Sequence, residues 1–293
     1  MQHGVTVRQV RQVSPGTFYR GDMSGKRRRA ARKAAREAES STALKLLARS
    51  GFVANGVVHV LIGAVMLVIA WGGDAETDQS GVFKGIAAAP FGFVLLWVIA
   101  AALWALGVWH ILDGILAPRA SSRAKWGRRL SEWSQAAVFL AIGTLSASVA
   151  LGAKPNADQT AEDVSRGVLY IPGGVFMLAA VGLAFAITGI SFVAMGVRRD
   201  FSNRVRIVAG PMGRVVTVLG IVGFVAKGLA LLIVGVLLLV AAVQLDPDAT
   251  GGLDAAVKAL LAMPFGHAIT ALIGGGLIVY GAFCMLRGKY ADL

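Results

Sequence analysis

Four ionisable side chains lie inside long apolar stretches of the sequence: His59, His110, Asp113 and Lys227. An ionisable group at membrane depth is energetically costly, so each is a candidate for a functional role. His110 and Asp113 are three residues apart and share one helix face, where a histidine that titrates near neutrality can relay protons. Lys227 has three interpretations: snorkelling to the inner interface, pairing with Asp113 or with a helix C-terminal carbonyl, or binding or moving a substrate.

Plain structural roles compete with these chemical ones. A histidine inside a membrane can simply hydrogen-bond a neighbouring helix, and Cys284 is expected to be a small packing residue. Four dispersed histidines and one cysteine give no recognisable haem, zinc or iron–sulfur site. Phosphate-binding loops, His-Glu-x-x-His helices and nucleophile elbows are absent from the sequence. We therefore expect no enzyme activity and no catalytic, cofactor-binding or metal-binding residues.

The elements that position these residues are six apolar stretches of about 20 residues each, the length that a membrane-spanning helix needs. They cover residues 52–71, 91–116, 133–151, 175–197, 215–245 and 265–285. The chain is 56% hydrophobic and only 15% charged, against about 25% charged in soluble domains. The runs are too long and continuous for barrel strands. The sequence predicts an all-α integral membrane protein with six transmembrane helices.

Basic residues set the expected orientation. The N-terminal tail, the second and fourth connections and the C-terminus together hold twenty-four Lys and Arg, whereas the opposite connections hold four. Cytoplasmic loops carry the excess of Lys and Arg. We therefore expect a protein of the cell membrane with both termini in the cytoplasm. The basic side is expected to contact anionic lipid headgroups, and nucleic-acid binding is disfavoured.

The sequence divides into a basic, disordered N-terminal arm, 1–46, and three repeats, 47–120, 127–202 and 214–293. Translation starts at Met1 or Met23. Each repeat carries a proline at the start of its second span and glycines in fixed register. The prolines are Pro90, Pro172 and Pro264, and the glycines are Gly63, Gly143, Gly235, Gly107, Gly189, Gly281, Gly114, Gly196 and Gly288. Proline is favoured in a first helical turn, and glycines seven apart let helix backbones approach closely. The repeats predict three tandem helix hairpins, pseudo-threefold about the membrane normal.

The repeat motifs resemble the family known as domain of unknown function 1206, found largely in actinobacterial membranes. The third copy fits best, with Lys227-Gly228 followed by Gly235 and by Tyr280-Gly281. The first copy has Asn55 in the basic position and His59 where the family tends to have tyrosine. The second copy departs further, with Gln135 and Ala136. The resemblance implies three two-helix repeats and carries no established activity.

Two functions remain in competition. The leading hypothesis is a structural or accessory membrane component that packs against lipid or a membrane-protein partner. The alternative is a small-solute or ion transporter with a path along the pseudo-threefold axis, using Lys227, His59 and Asp113. The repeat counterparts of His110 and Asp113 argue against a proton relay: they are Phe192 and Met195, then Cys284 and Arg287. A hydrated central path would favour transport, and a closed axis would favour the accessory role.

Overall fold

The computed structural model describes residues 33, 37, 41–73, 76–116, 122–201, 210–245 and 253–290. In these ranges the chain forms α1 Thr42–Ala70, α2 Gln79–Ala88, α3 Gly92–Leu116, α4 Ser122–Ala150, α5 Ala157–Leu169, α6 Gly174–Arg198, α7 Pro211–Gln244, α8 Leu253–Leu261 and α9 Gly266–Tyr290. Six of these helices, α1, α3, α4, α6, α7 and α9, are long and apolar enough to cross a membrane. The predicted all-α fold is confirmed. Most of the predicted N-terminal arm, 1–46, lies outside the described residues, and its last five residues belong to α1.

Each repeat contains a short helix between its two long ones, which the two-helix prediction missed. These helices, α2, α5 and α8, mark one end of the bundle, here called the acidic end; the opposite end is called the basic end. Two of them begin at a recognisable N-cap: the Asp78 carboxylate accepts a hydrogen bond from Gly81 N at 2.8 Å, and the Asn156 side chain accepts one from Gln159 N at 3.1 Å. Asp and Asn are preferred caps because they satisfy an otherwise unpaired N–H.

The proline–glycine motif forms the same tight turn in all three repeats. In each, the glycine N–H donates to a carbonyl oxygen three residues earlier, at 2.9, 2.9 and 3.0 Å. The residue between proline and glycine has a positive φ, which is 60° at Phe91, 81° at Gly173 and 62° at Phe265. This is type II geometry, in which proline takes the second position. The prolines therefore precede the helices, as the predicted spans from 91, 175 and 265 also place them, and their role is in the turn rather than in a first helical turn.

The three repeats pack in a ring. The last long helix of each repeat lies on the first long helix of the next: α3 on α4, α6 on α7, and α9 on α1. Within repeats, α1 packs on α3 and α7 packs on α9. Among the described residues, α4 and α6 do not form a comparable packed pair. Each repeat therefore contacts the next one around the ring, but the two long helices of the second repeat are not packed on each other. This difference breaks the expected threefold equivalence.

The interior towards the acidic end is filled by apolar side chains. Phe83 of α2 is fully buried and belongs to one apolar core with residues of α1, α3 and α9, which Val257 and Leu260 of α8 also join. A cavity of about 10 Å³ lies between α1, α7, α8 and α9, with only apolar side chains around it. That volume is about the minimum for one water molecule, which would also need polar partners. Apolar side chains of α1, α2, α3, α8 and α9 therefore make up this part of the interior.

Candidate functional site: two polar centres between the helices

The four candidate residues fall into two centres, so the expected single cluster does not form. His110 and Asp113 lie at the α3–α4 interface, whereas His59 and Lys227 lie between α1, α7 and α9. The ring of Phe52 stands between the centres. Its centroid is 6.4 Å from that of His110, and the guanidinium carbon of Arg287 lies 4.5 Å from the ring. The two sets therefore have to be considered separately.

The first centre is built on a buried hydrogen bond between repeats. His110 Nδ1 lies 2.7 Å from Glu132 Oε2, and each residue is only 4% exposed. The imidazole also stacks on Phe139 at a centroid distance of 5.4 Å. In the low-dielectric interior such a bond is strong, and either partner alone would be costly. This contact fixes α3 against α4.

Asp113 pairs with an arginine at the edge of the same interface. Arg128 donates to both carboxylate oxygens, at 3.0 and 3.3 Å, and Arg129 donates to the Gly114 carbonyl at 3.2 Å. The ion pair between Asp113 and Lys227 that the sequence left open is not formed. His110 and Asp113 share a helix face as predicted, but each is bonded across to α4 rather than to the other.

The second centre is built around Lys227. This residue lies in the middle of α7, sixteen residues after Pro211 and seventeen before Gln244. Its ammonium donates to the Tyr280 hydroxyl at 3.3 Å and lies 4.4 Å from the centroid of that ring and 5.3 Å from that of Phe192. The side chain thus turns onto aromatic faces, where cation–π attraction holds it, instead of extending towards the helix end.

His59 and its neighbours complete this centre on α1 and α9. His59 Nδ1 donates to the Asn55 carbonyl oxygen at 2.8 Å, and the imidazole meets Tyr280 edge-on at 4.9 Å. The Asn55 amide donates to Cys284 Sγ at 3.6 Å. Cys284 is 2% exposed and lies among apolar side chains, in keeping with a packing role. His267, by contrast, is exposed in the first turn of α9.

Glu132 is the functional candidate that sequence reasoning missed. The predicted third span began at residue 133, but α4 begins at Ser122, which brings Glu132 inside the helix. A signal was present in the repeat register, since the counterparts of Glu132 are Phe52 and Phe224. A carboxylate replacing two buried phenylalanines marks a position where one copy differs in chemistry. Tyr280 was also missed as the partner of Lys227.

Comparison with known proteins places this arrangement in a family. The model of the family described as Domain of Unknown Function (DUF1206) matches residues 50–117, 133–199 and 222–291. The chain belongs to the DUF1206 family. It is 27% identical over 261 residues to the "Uncharacterized protein YxxB" of Bacillus subtilis (strain 168), covering 87% of this chain and 94% of that protein. No solved structure matches.

Each DUF1206 match contains one repeat, which is a long helix, a short helix and a second long helix. The glycines in fixed register lie at the contacts between one repeat and the next. A Cβ on Gly56 of α1 would stand 2.6 Å from the Gly281 carbonyl oxygen of α9. A Cβ on Gly189 of α6 would stand 2.7 Å from the Gly228 carbonyl oxygen of α7. Real Cβ atoms do not approach so closely, so larger residues would force these helices apart. Among the described residues, no three His, Cys, Asp or Glu side chains are grouped to hold a metal ion.

Proposed function

We propose that this DUF1206 protein is a structural or accessory component of the cell membrane, and neither an enzyme nor a conduit. The observation that carries the proposal is the apolar core towards the acidic end, which contains a cavity of about 10 Å³ lined by apolar side chains. A path for ions or polar solutes needs polar groups or water along its length. The side chains that line this cavity are all apolar and supply no such groups.

The proposal includes an orientation and a packing principle. The charge bias of twenty-four Lys and Arg against four supports cytoplasmic termini, with the basic end at the inner surface of the plasma membrane. The short distances at Gly56 and Gly189 support glycine-mediated contacts as the force that joins the repeats in lipid, where apolar burial alone gives no preference for protein over lipid.

The second repeat supplies the surface for a partner. In the first repeat, a Cβ on Gly51 of α1 would lie 2.5 Å from the Ala102 carbonyl oxygen of α3; in the third, a Cβ on Gly223 of α7 would lie 2.6 Å from the Tyr280 Cα of α9. The corresponding face of α6 has Ala184 and Thr188, and both are exposed. Only 22% of the most apolar stretch of α6 is buried, against 44–50% in α1, α3, α7 and α9. Because the equivalent faces elsewhere each accept a helix, we place a transmembrane helix of another membrane protein here.

Photocrosslinking in the native membrane tests the partner. A photoreactive residue at Ile187 of α6, which is 55% exposed, is expected to give a discrete protein adduct. The control position, matched in exposure, is Val98 of α3. It is 59% exposed, and a photoreactive residue there is expected to react with lipid only. Ala184→Leu should remove the adduct at position 187 by filling the helix-accepting face. Equal protein adducts at both positions, or an adduct that is insensitive to Ala184→Leu, would contradict the proposal.

A flux measurement tests the alternative. Vesicles that contain the purified chain are expected to leak potassium and chloride no faster than empty vesicles. A flux above that background that Lys227→Ala abolishes would overturn the accessory role and favour transport. Arg214→Ala is the matched control, because Arg214 is an exposed cation in the first turn of the same helix.

A further inference from the structure

Each of the three proline turns at the acidic end exposes one aromatic ring. Phe91 in the first repeat is 87% exposed, Tyr170 in the second is 84% exposed, and Phe265 in the third is 84% exposed. Aromatic side chains carry a large apolar area, and proteins bury most of it in cores or interfaces. Three rings left uncovered at equivalent turns of the fold therefore point to a common contact outside the protein interior.

The rings of the first and third repeats occupy strained backbone positions. Phe91 has a φ of 60° and Phe265 a φ of 62°, in the left-handed region that bulky residues rarely adopt. Glycine takes this conformation without strain, and Gly173 occupies the same position in the second repeat with a φ of 81°. The turn itself therefore does not need a phenyl ring. Backbone strain that the turn does not require is a mark of a functional contact.

The second repeat provides its ring from a different position. Tyr170 lies three residues before Gly173, just after α5, and its φ of −75° is unstrained. The counterparts of Tyr170 are Ala88 and Ala262, which are small and exposed. Where the turn contains phenylalanine, this earlier position is alanine, and where the turn contains glycine, this position is tyrosine. The chain thus keeps one exposed ring in each repeat, whichever position provides it.

We propose that Phe91, Tyr170 and Phe265 are interfacial anchors, whose rings insert into the lipid leaflet at the acidic end, where headgroups meet acyl chains. Each turn leads directly into a helix long and apolar enough to cross a membrane, α3, α6 or α9, so the rings lie at the edge of the spans. Aromatic side chains favour this depth of a bilayer, and such anchors help to set the tilt of a span. Because the turns belong to successive repeats, the bundle is held at three points, with or without a protein partner.

Moving the ring between its two positions tests the anchor. Val94 lies one turn after Phe91 on α3 and is 56% exposed, and a nitroxide label on Val94→Cys reports its depth in vesicles of pure phosphatidylcholine. Collisions with oxygen indicate acyl chains, and collisions with a water-soluble nickel chelate indicate water. Phe91→Gly should raise the nickel accessibility of the label. Adding Ala88→Tyr to Phe91→Gly, which reproduces the arrangement of the second repeat, should restore the low value of the unmodified turn.

Two controls separate anchoring from folding. Phe91→Gly should not lower the melting temperature in detergent, since Gly173 forms the same turn, and the chain without the added cysteine gives any background from Cys284, which is 2% exposed. Equal nickel accessibility with Phe91 and with Phe91→Gly would overturn the anchor, as would a failure of Ala88→Tyr to restore protection. A lower melting temperature for Phe91→Gly would show that the ring supports the turn within the protein, which also contradicts the proposal.

Discussion

Polar contacts at the scale of single residues arise where the three repeats differ at equivalent positions. His110, Phe192 and Cys284 are counterparts, and each makes a different contact with the next repeat. His110 bonds Glu132, Phe192 stacks on Phe224 at 5.5 Å, and Cys284 accepts a weak hydrogen bond from the Asn55 amide. The three repeats thus share one backbone arrangement, but the side chains at these equivalent positions make a different contact at each interface.

Exchanging the polar pair for the aromatic pair of the second interface tests how far these contacts are independent. His110→Phe and Glu132→Phe should each cost about 1–3 kcal/mol of stability, because each removes a buried hydrogen bond. The double variant should cost less than the two combined, since it installs the stacked pair seen at Phe192 and Phe224. Thermal unfolding in detergent measures the three values; strict additivity would show that the pair is not coupled.

Arg128→Gln is the control for this cycle. Arg128 and Asp113 form a pair at the same interface, but their side chains are 46% and 26% exposed. Solvent screens such a pair, so the expected loss is below about 1 kcal/mol. A loss as large as that of His110→Phe would mean that exposure does not decide the strength of these contacts.

Contacts at the scale of helices depend on which glycine faces a neighbour. Gly274 and Gly275 are adjacent in α9, yet a Cβ on Gly274 would lie 2.9 Å from the Gly63 carbonyl oxygen and from Met66 Cβ of α1. A Cβ on Gly275 would meet nothing within 4 Å. One glycine is therefore required by the α1–α9 contact, whereas its neighbour is not.

This difference predicts opposite effects for the same substitution. Gly274→Ala should lower stability by about 1–3 kcal/mol, because the added methyl group overpacks the α1–α9 interface. Gly275→Ala should be neutral or should raise stability by up to about 1 kcal/mol, because alanine is the better helix former. Melting temperatures of the two variants in the same detergent provide the comparison, and equal losses would argue against close packing at Gly274.

At the scale of the whole molecule, a polar link at the acidic end joins the first repeat to the third. Thr77 donates its N–H and its hydroxyl to Asp254 Oδ1 at 3.2 and 2.9 Å, while Lys258 Nζ lies 2.6 Å from Asp254 Oδ2. Burial opposes the charged carboxylate, but the hydrogen bonds from Lys258 and Thr77 outweigh it and hold the pKa of Asp254 below its ordinary value. The link joins α8 to the segment before α2.

The lowered pKa predicts how this link responds to acid. A carboxyl whose pKa is lower in the folded state contributes fully above its unfolded value of 3.8, and its contribution is lost as the pH falls through the folded value. The stability difference between the unmodified chain and Asp254→Asn should therefore stay constant from about pH 7 to pH 5 and shrink below about pH 4. A difference that declines between pH 7 and pH 5 would contradict the lowered pKa.

The sequence predicted what depends on local composition and spacing. Apolar length alone identified six spans, because a membrane-crossing helix must satisfy its own backbone and present apolar side chains over its whole length. The proline–glycine spacing predicted the three repeats. The helix starts at Ser122 and Pro211 escaped prediction, since these helices begin in polar sequence before the apolar run starts.

Only the tertiary structure decided which helices meet. The partners of His110 and Lys227 are 22 and 53 residues away in the chain, and no spacing rule connects residues on helices whose packing is unknown. The open side between α4 and α6 likewise has no local signature, because the apolar length that predicts a span is the same whether or not another helix packs against it. The sequence by itself determined that three similar units each supply two helices apolar enough to cross a membrane, since that property belongs to each helix separately. The arrangement of these units in a ring with one open side depends on which helix backbones pack closely together. Only the tertiary structure shows those contacts.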